Sequence, residues 1–147
     1  MMIVTQLKTL RERSINLIAF DKKLETDLIE ELDKHPSGVG ISAVQIGVLS
    51  RMCIISDMDY VTKEINDITL WNPVIISLAG DVITNYEQCL SLPGESVRVV
   101  RAEKIVVKNG DGKEYKFSDF TARIVQHEID HMDGILITDY KSEDLGI

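Results

Sequence analysis

The segment His127-Glu128-Ile129-Asp130-His131 constrains this chain more than any other stretch of it. Histidines four apart on a helix lie one above the other on a single face, so both imidazoles can grip one metal ion while Glu128 flanks it. A metal held by few protein ligands keeps a position for water, lowers that water's pKa towards about 7 and leaves a neighbouring carboxylate to carry protons. The pattern therefore points to hydrolysis. The plain alternative is a helix whose His and Glu face solvent. Against it, these are two of only three histidines in the chain, and the same segment carries Phe120, Ile124 and Ile129. A helix packed through those residues must desolvate its imidazoles, which favours giving them a ligand.

A tetrahedral site needs a third protein ligand. No histidine follows His131, and the only later glutamate is Glu143. Cys89, in Glu87-Gln88-Cys89-Leu90-Ser91, is the candidate, because a thiolate is a strong ligand and this one lies where a strand runs into a turn ending at Pro93-Gly94. The other cysteine, Cys53, sits in the apolar run Met52-Cys53-Ile54-Ile55, which reads as a buried strand with cysteine as a small hydrophobe. Two cysteines are too few for a disulfide framework.

Composition narrows the substrate. A formal charge of −8 over 147 residues argues against a broad phosphate-binding surface and so against nucleic acid. The apolar runs are too short to cross a bilayer, and Met1 to Leu10 has neither the apolar core of a secretory signal nor the Arg and Ser of a transit peptide. The expectation is a cytoplasmic protein with no membrane contact. A chain of this length buries about 70% of its unfolded surface in one core, and no repeat or linker divides it, so residues 1–147 read as one domain.

Leu24, Leu28 and Leu32 recur every four positions between Asp21 and His35, which predicts an amphipathic helix capped by Asp21 and ending near Pro36. Strands are expected at Arg51–Ser56, Ile68–Trp71, Val74–Leu78, Val97–Val100 and Ile105–Val107. Asn109-Gly110-Asp111-Gly112 predicts a hairpin turn leading to Tyr115-Lys116-Phe117. A second helix should start at Ser118, capped by its hydroxyl, and stop at Gly134. The tail after Tyr140 is short and polar and is expected to fray. The order of elements predicts an α+β fold, with short antiparallel sheets packed around a central helix that carries the His-Glu-x-x-His-type motif. Gly38-Val39-Gly40-Ile41-Ser42-Ala43 formally matches a dinucleotide fingerprint, but what precedes it reads as helix rather than strand, so that match is discounted.

Three segments, Gly38-Val39-Gly40-Ile41-Ser42-Ala43-Val44-Gln45, Glu87-Gln88-Cys89-Leu90-Ser91 and Gln126-His127-Glu128-Ile129-Asp130-His131, together resemble the three ordered motifs of the peptide deformylases. The resemblance extends through Leu10-Arg11, Trp71-Asn72-Pro73, Arg101-Ala102-Glu103-Lys104 and Asp139-Tyr140, over nearly the whole chain. It implies removal of the formyl group from N-formyl-methionyl polypeptides. Cys89, His127 and His131 would hold the metal, ferrous iron in the cell, with zinc, nickel or cobalt able to occupy the site. Glu128 would be the general base and acid; Gln45 would hydrogen-bond the attacking water and the developing oxyanion, with the backbone N–H of Leu90 as second donor. Phe120, Ile124, His127 and Ile41 resemble the pocket for the methionine side chain, with Gly40 and Gln88 also at the substrate. Glu87 and Arg101 match positions that form an ion pair steadying the Cys89 segment.

This chain departs from the family pattern in three places. Gln88 stands where the pattern has glycine: a positive φ there would cost stability, whereas an extended backbone would alter only the rim of the cleft. Ser42 replaces an alanine and brings a hydroxyl that needs a partner if buried. The basic C-terminal helix used at the ribosome in many bacterial members is not matched, so stable ribosome docking is not expected. The remaining expectation is a monomer acting on nascent chains in the cytoplasm of a bacterium or a phage-infected cell. Two other readings stand beside this one: a zincin-like metalloprotease, which leaves Gln45 and Cys89 without a role, and a catalytically silent metal-binding or interaction domain.

Overall fold

A computed structural model describes residues 2–59 and 61–141. The fold is α+β, with two three-stranded antiparallel sheets. The first sheet has the order β1 (Gly40–Ser42), β2 (Met52–Met58), β3 (Ile65–Trp71); the second has β4 (Val74–Cys89), β5 (Leu92–Lys108), β6 (Glu114–Ser118). Three α-helices, α1 (Leu7–Leu10), α2 (Lys22–Asp33) and α3 (Asp119–Met132), complete the regular elements together with two 3-10 turns, Ala43–Ile46 and Ile137–Tyr140.

Helix α2 forms where the leucine period predicts it. The Asp21 carboxylate accepts the Leu24 N–H at 3.0 Å, and Leu24, Leu28 and Leu32 are buried. They pack against Ile41, Met52 and Ile54. The alternate residues of β2, Cys53 and Ile55, face the other way, into a core shared with Ile105, Val107 and Phe117 of the second sheet and Ala122, Val125 and Ile129 of α3. The first sheet is thus covered on both faces, which is why Met52 to Ile55 is apolar without alternation. Cys53 is fully buried there, its thiol pushed well up by burial.

The second sheet differs from the sequence expectation in strand length. Val97–Val100 and Ile105–Val107 belong to one 17-residue strand, β5, and β4 runs 16 residues. The charged stretch between the two apolar segments does not break β5. Val97, Val99, Arg101, Ile105 and Val107 alternate inward, and Arg101 takes a core position because the buried carboxylate of Glu87 and the part-buried one of Asp130 meet it there. The turn at Asn109–Gly112 forms as expected, with Gly112 at φ 86°. It also docks the sheets together: Asn109 accepts the Trp71 N–H at 2.7 Å, and Gly110 lies so close to the Trp71 ring that a Cβ would fall 2.5 Å from it.

Helix α3 stops at Gly134, which has φ 75°. Its start differs from the expectation. Ser118 occupies the cap position but its hydroxyl makes no capping bond, and the next residue, Asp119, has φ 54°. Ser118 is exposed, and its hydroxyl faces no unpaired amide of the helix. The tail beyond Lys141, where fraying is expected, lies outside the described residues.

Candidate active site

Helix α3 contacts strands of both sheets, and the end of β4 brings Glu87 to Arg123 and His127 and Cys89 to His131. Strand alternation at that end turns Glu87 and Cys89 inward and leaves Gln88 exposed. Helical spacing stacks His127 and His131, with ring centroids 5.1 Å apart. The result is a buried triad: one donor atom each from Cys89, His127 and His131, all within 4.8 Å of one another. Cys89 Sγ is 3.3 Å from His131 Nε2. A tetrahedral ion with a sulfur ligand at about 2.3 Å and a nitrogen ligand at about 2.0 Å would set them roughly 3.5 Å apart. The donor set and its spacing therefore fit a divalent transition metal.

Electrostatics agree with that fit. Burial lowers the basicity of His127, but hydrogen bonds to Cys89 and Glu87 and the charge of Glu128 outweigh it and push its pKa up to about 10. Burial and the neighbouring His127 push His131 well down, so it is the neutral, ligand-competent form. His127 Nδ1 lies 2.9 Å from Glu87 Oε1, which leaves Nε2 for a metal.

Glu87 is the centre of a buried network. Its two oxygens accept from Arg101 Nε at 2.9 Å, an Arg101 terminal nitrogen at 2.8 Å and Arg123 at 2.7 Å, besides His127. Although burial opposes ionisation, these partners hold Glu87 well below the usual carboxylate range. The ion pair with Arg101 is the one the resemblance implies. Arg123, Asp130 and Tyr140 were not singled out from the sequence. Arg123 also donates to the carbonyls of Val99 and Ile83, and Tyr140 donates to Asp130 at 2.7 Å while Asp130 pairs with Arg101. The signal for Arg123 was its place one helical turn before His127. Removing Arg101 strips a buried charge from both Glu87 and Asp130, so Arg101→Ala should lose about 3–5 kcal/mol of stability, read as a lower urea midpoint of the metal-free protein.

Glu128 is buried beside the triad, and burial, only partly offset by His127 and a hydrogen bond from Ser42, raises its affinity for a proton. The Ser42 hydroxyl, the departure that needed a partner, has two: it lies 2.9 Å from the Glu128 carbonyl and 3.0 Å from Glu128 Oε1. Gln45, 1% exposed, accepts the Ser42 N–H through Oε1 at 2.9 Å. Since a backbone N–H only donates, this fixes the amide, and Nε2 faces Ser91 Oγ at 3.1 Å and Cys89 Sγ at 3.8 Å. Ser91 is a further residue that sequence reasoning passed over.

A cleft of ≈ 380 Å³ opens onto this centre, bordered by Gly40, Gln88, Leu90, Phe120, Ile124 and Glu128 among others. Ile41, expected in its wall, is not there. It is fully buried against α2, because alternation along β1 sends Gly40 and Ser42 towards α3 and Ile41 to the opposite face. Gln88 is extended, not at positive φ, so the replacement of glycine alters the rim and brings no backbone strain.

Comparison with known proteins places the chain. The sequence profile of the family described as polypeptide deformylase matches residues 2–144. A peptide deformylase of Dictyoglomus thermophilum is 44% identical over 127 residues, which are 84% of this chain and 78% of that protein. Peptide deformylase 1 of Rickettsia conorii is 34% identical over 144 residues, 90% of this chain and 82% of its own length. Among solved structures, a probable peptide deformylase from Synechococcus phage S-SSM7 superposes with a TM-score of 0.80 at 32% identity, covering 94% of this chain and 97% of that one. The peptide deformylase of Ehrlichia chaffeensis in complex with actinonin gives 0.83 at 29% identity, over 95% and 87%. With a match this extensive and a buried Cys–His–His triad beside a carboxylate, the chain belongs to the polypeptide deformylase family, a family of metal-dependent hydrolases.

Proposed function

We propose that this protein hydrolyses the N-terminal formyl group of nascent N-formyl-methionyl polypeptides, giving formate and a free amino terminus. The observation that carries this reading is the convergence of three metal-ligand atoms with the buried carboxylate of Glu128 and the oriented amide of Gln45 at the base of one cleft. Cys89, His127 and His131 would hold the ion, which when bound would supply the Lewis acidity that polarises a carbonyl and lowers the pKa of a water towards about 7.

The chain's own groups do the rest. Glu128, with its raised proton affinity, takes a proton from the attacking water and delivers it to the leaving amine. Gln45 Nε2 and the backbone N–H of Leu90 donate to the oxygen that gains charge as the carbonyl carbon becomes tetrahedral. Ile124 and the half-exposed Phe120 form the apolar wall for the methionine side chain. Gly40 and Gln88, on strand edges at the rim, meet the peptide main chain. The space is tight: a Cβ on Gly40 would lie 2.8 Å from Glu128 Oε2 and 2.9 Å from Ile124 Cγ2.

Thiolate and imidazole ligands suit both iron and zinc, and the proposed ion in the cell is ferrous iron, with zinc, nickel or cobalt as substitutes. The excess of acidic residues speaks against nucleic acid as substrate. Among the described residues no helix is long and apolar enough to cross a membrane. The reading is completed by a monomer at work on nascent chains in the cytoplasm.

The test is formate release by protein purified anaerobically with ferrous iron. An N-formyl-Met tripeptide should be turned over and its N-acetyl counterpart left intact. Cleavage of internal peptide bonds without formate would replace this reading with the metalloprotease, and a folded, iron-loaded protein that neither releases formate nor cleaves peptide bonds would favour the silent domain.

A further inference from the structure

The geometry points to Ser42 as a positioning residue whose hydroxyl holds the proton-carrying carboxyl of Glu128 in its working orientation; this rests on the role of Glu128 proposed above. Glu128 and Ser42 are both buried, 4% and 1% exposed, so neither has solvent to fall back on. A glutamate side chain on a helix has three torsions to fix, and helix packing alone fixes only the first well. Here the end of the side chain is gripped from β1. Ser42 Oγ is 3.0 Å from Oε1, while Gly40, two residues back on the same face, closes on Oε2.

The two oxygens thereby acquire different tasks. Oε1 is anchored by the hydroxyl, and Oε2, beside the cleft-lining Gly40, is left to exchange protons. A hydroxyl has one proton to donate, and its second acceptor, the Glu128 carbonyl at 2.9 Å, belongs to the same residue. Donated to Oε1, that proton anchors the carboxylate; donated to the carbonyl, it leaves the hydroxyl oxygen to accept from a protonated Oε1, so the contact with the carboxyl persists in both states. The Ser42 N–H meanwhile orients Gln45. One residue of β1 therefore sets the spacing between the proton shuttle and the oxyanion donor. Alanine would preserve the backbone half of this arrangement and lose the hydroxyl half.

The experiment compares wild type, Ser42→Ala, Glu128→Ala and the double variant in formate release from an N-formyl-Met peptide, with bound iron and the thermal unfolding midpoint measured on each. Ser42→Ala should lower kcat by about tenfold with KM changed less than about twofold and iron content unchanged, as expected for loss of a charge-assisted hydrogen bond. In the Glu128→Ala background the same change should have no further effect on the residual rate. A tenfold loss that persists without Glu128, or kcat retained in Ser42→Ala, would overturn the inference. So would loss of iron or of folded protein in Ser42→Ala, which would make the hydroxyl a structural bond. Full activity of Glu128→Ala would instead sink the proposed role of Glu128, a separate result.

Discussion

Glu128→Ala is expected to lower formate release by about 10²–10⁴-fold while the protein keeps its metal, since that is the range a positioned general acid–base contributes. Metal is retained because the ligand cluster comprises Cys89, His127 and His131 and does not include Glu128. No neighbour can take over. The nearest alternative carboxylate, Glu87, spends its lone pairs on Arg101, Arg123 and His127 and stays ionised far below neutrality, so it is a poor proton acceptor. The loss should fall on kcat more than KM, because the substrate wall is formed by other residues. Equilibrium iron content and single-turnover rates on the same preparation check both halves. A variant that turned over normally, or one that lost activity only because it lost metal, would contradict the assignment.

Cys89→Ala should have the second large effect, of a different kind: the metal itself is lost, and turnover with it. Losing a partner that merely orients a ligand costs about 10–100-fold in metal affinity, and losing the thiolate ligand exceeds that. The fold should survive. Cys89 ends β4 and contributes a small side chain to a buried cluster otherwise built from Leu10, Leu92, Val97, Val99, Leu136 and Ile137, so the stability change should stay within about 2 kcal/mol. Competition with a chromogenic chelator gives the affinity, and urea unfolding of the metal-free variant gives the stability. Unaltered metal affinity would remove Cys89 from the ligand set.

The features legible in the sequence are those set by local physics. The period of Leu24, Leu28 and Leu32, the cap at Asp21 and the Asn-Gly turn at 109–112 act over a few residues, and each formed where expected. The stacking of His127 and His131 also follows from helix geometry alone. The division of β5 into two strands failed because the charged segment around Arg101 reads as a loop until Glu87 and Asp130, distant in sequence, are seen to neutralise it. Ile41 was assigned to the cleft from its place in a motif, whereas the face it occupies is set by the pairing of β1 with β2 and by α2 on the far side. Ser118 looked like a cap, yet the left-handed backbone of Asp119 and exposure to solvent leave its hydroxyl unused. Arg123 was missed for a related reason. A single arginine on an apolar helix face reads as solvated until three strand-borne acceptors, Glu87, Val99 and Ile83, surround it.

The most direct test of the central claim is a titration of turnover against bound metal. Metal-free protein, prepared with a chelator and returned to ferrous iron under anaerobic conditions, would be assayed for formate release from an N-formyl-Met peptide at each step of added ion. The account predicts a rate that rises in proportion to bound iron and saturates at one ion per chain, with Cys89→Ala failing to rise at the same concentrations. Formate release independent of added metal, or a fully loaded protein that releases none, would contradict it.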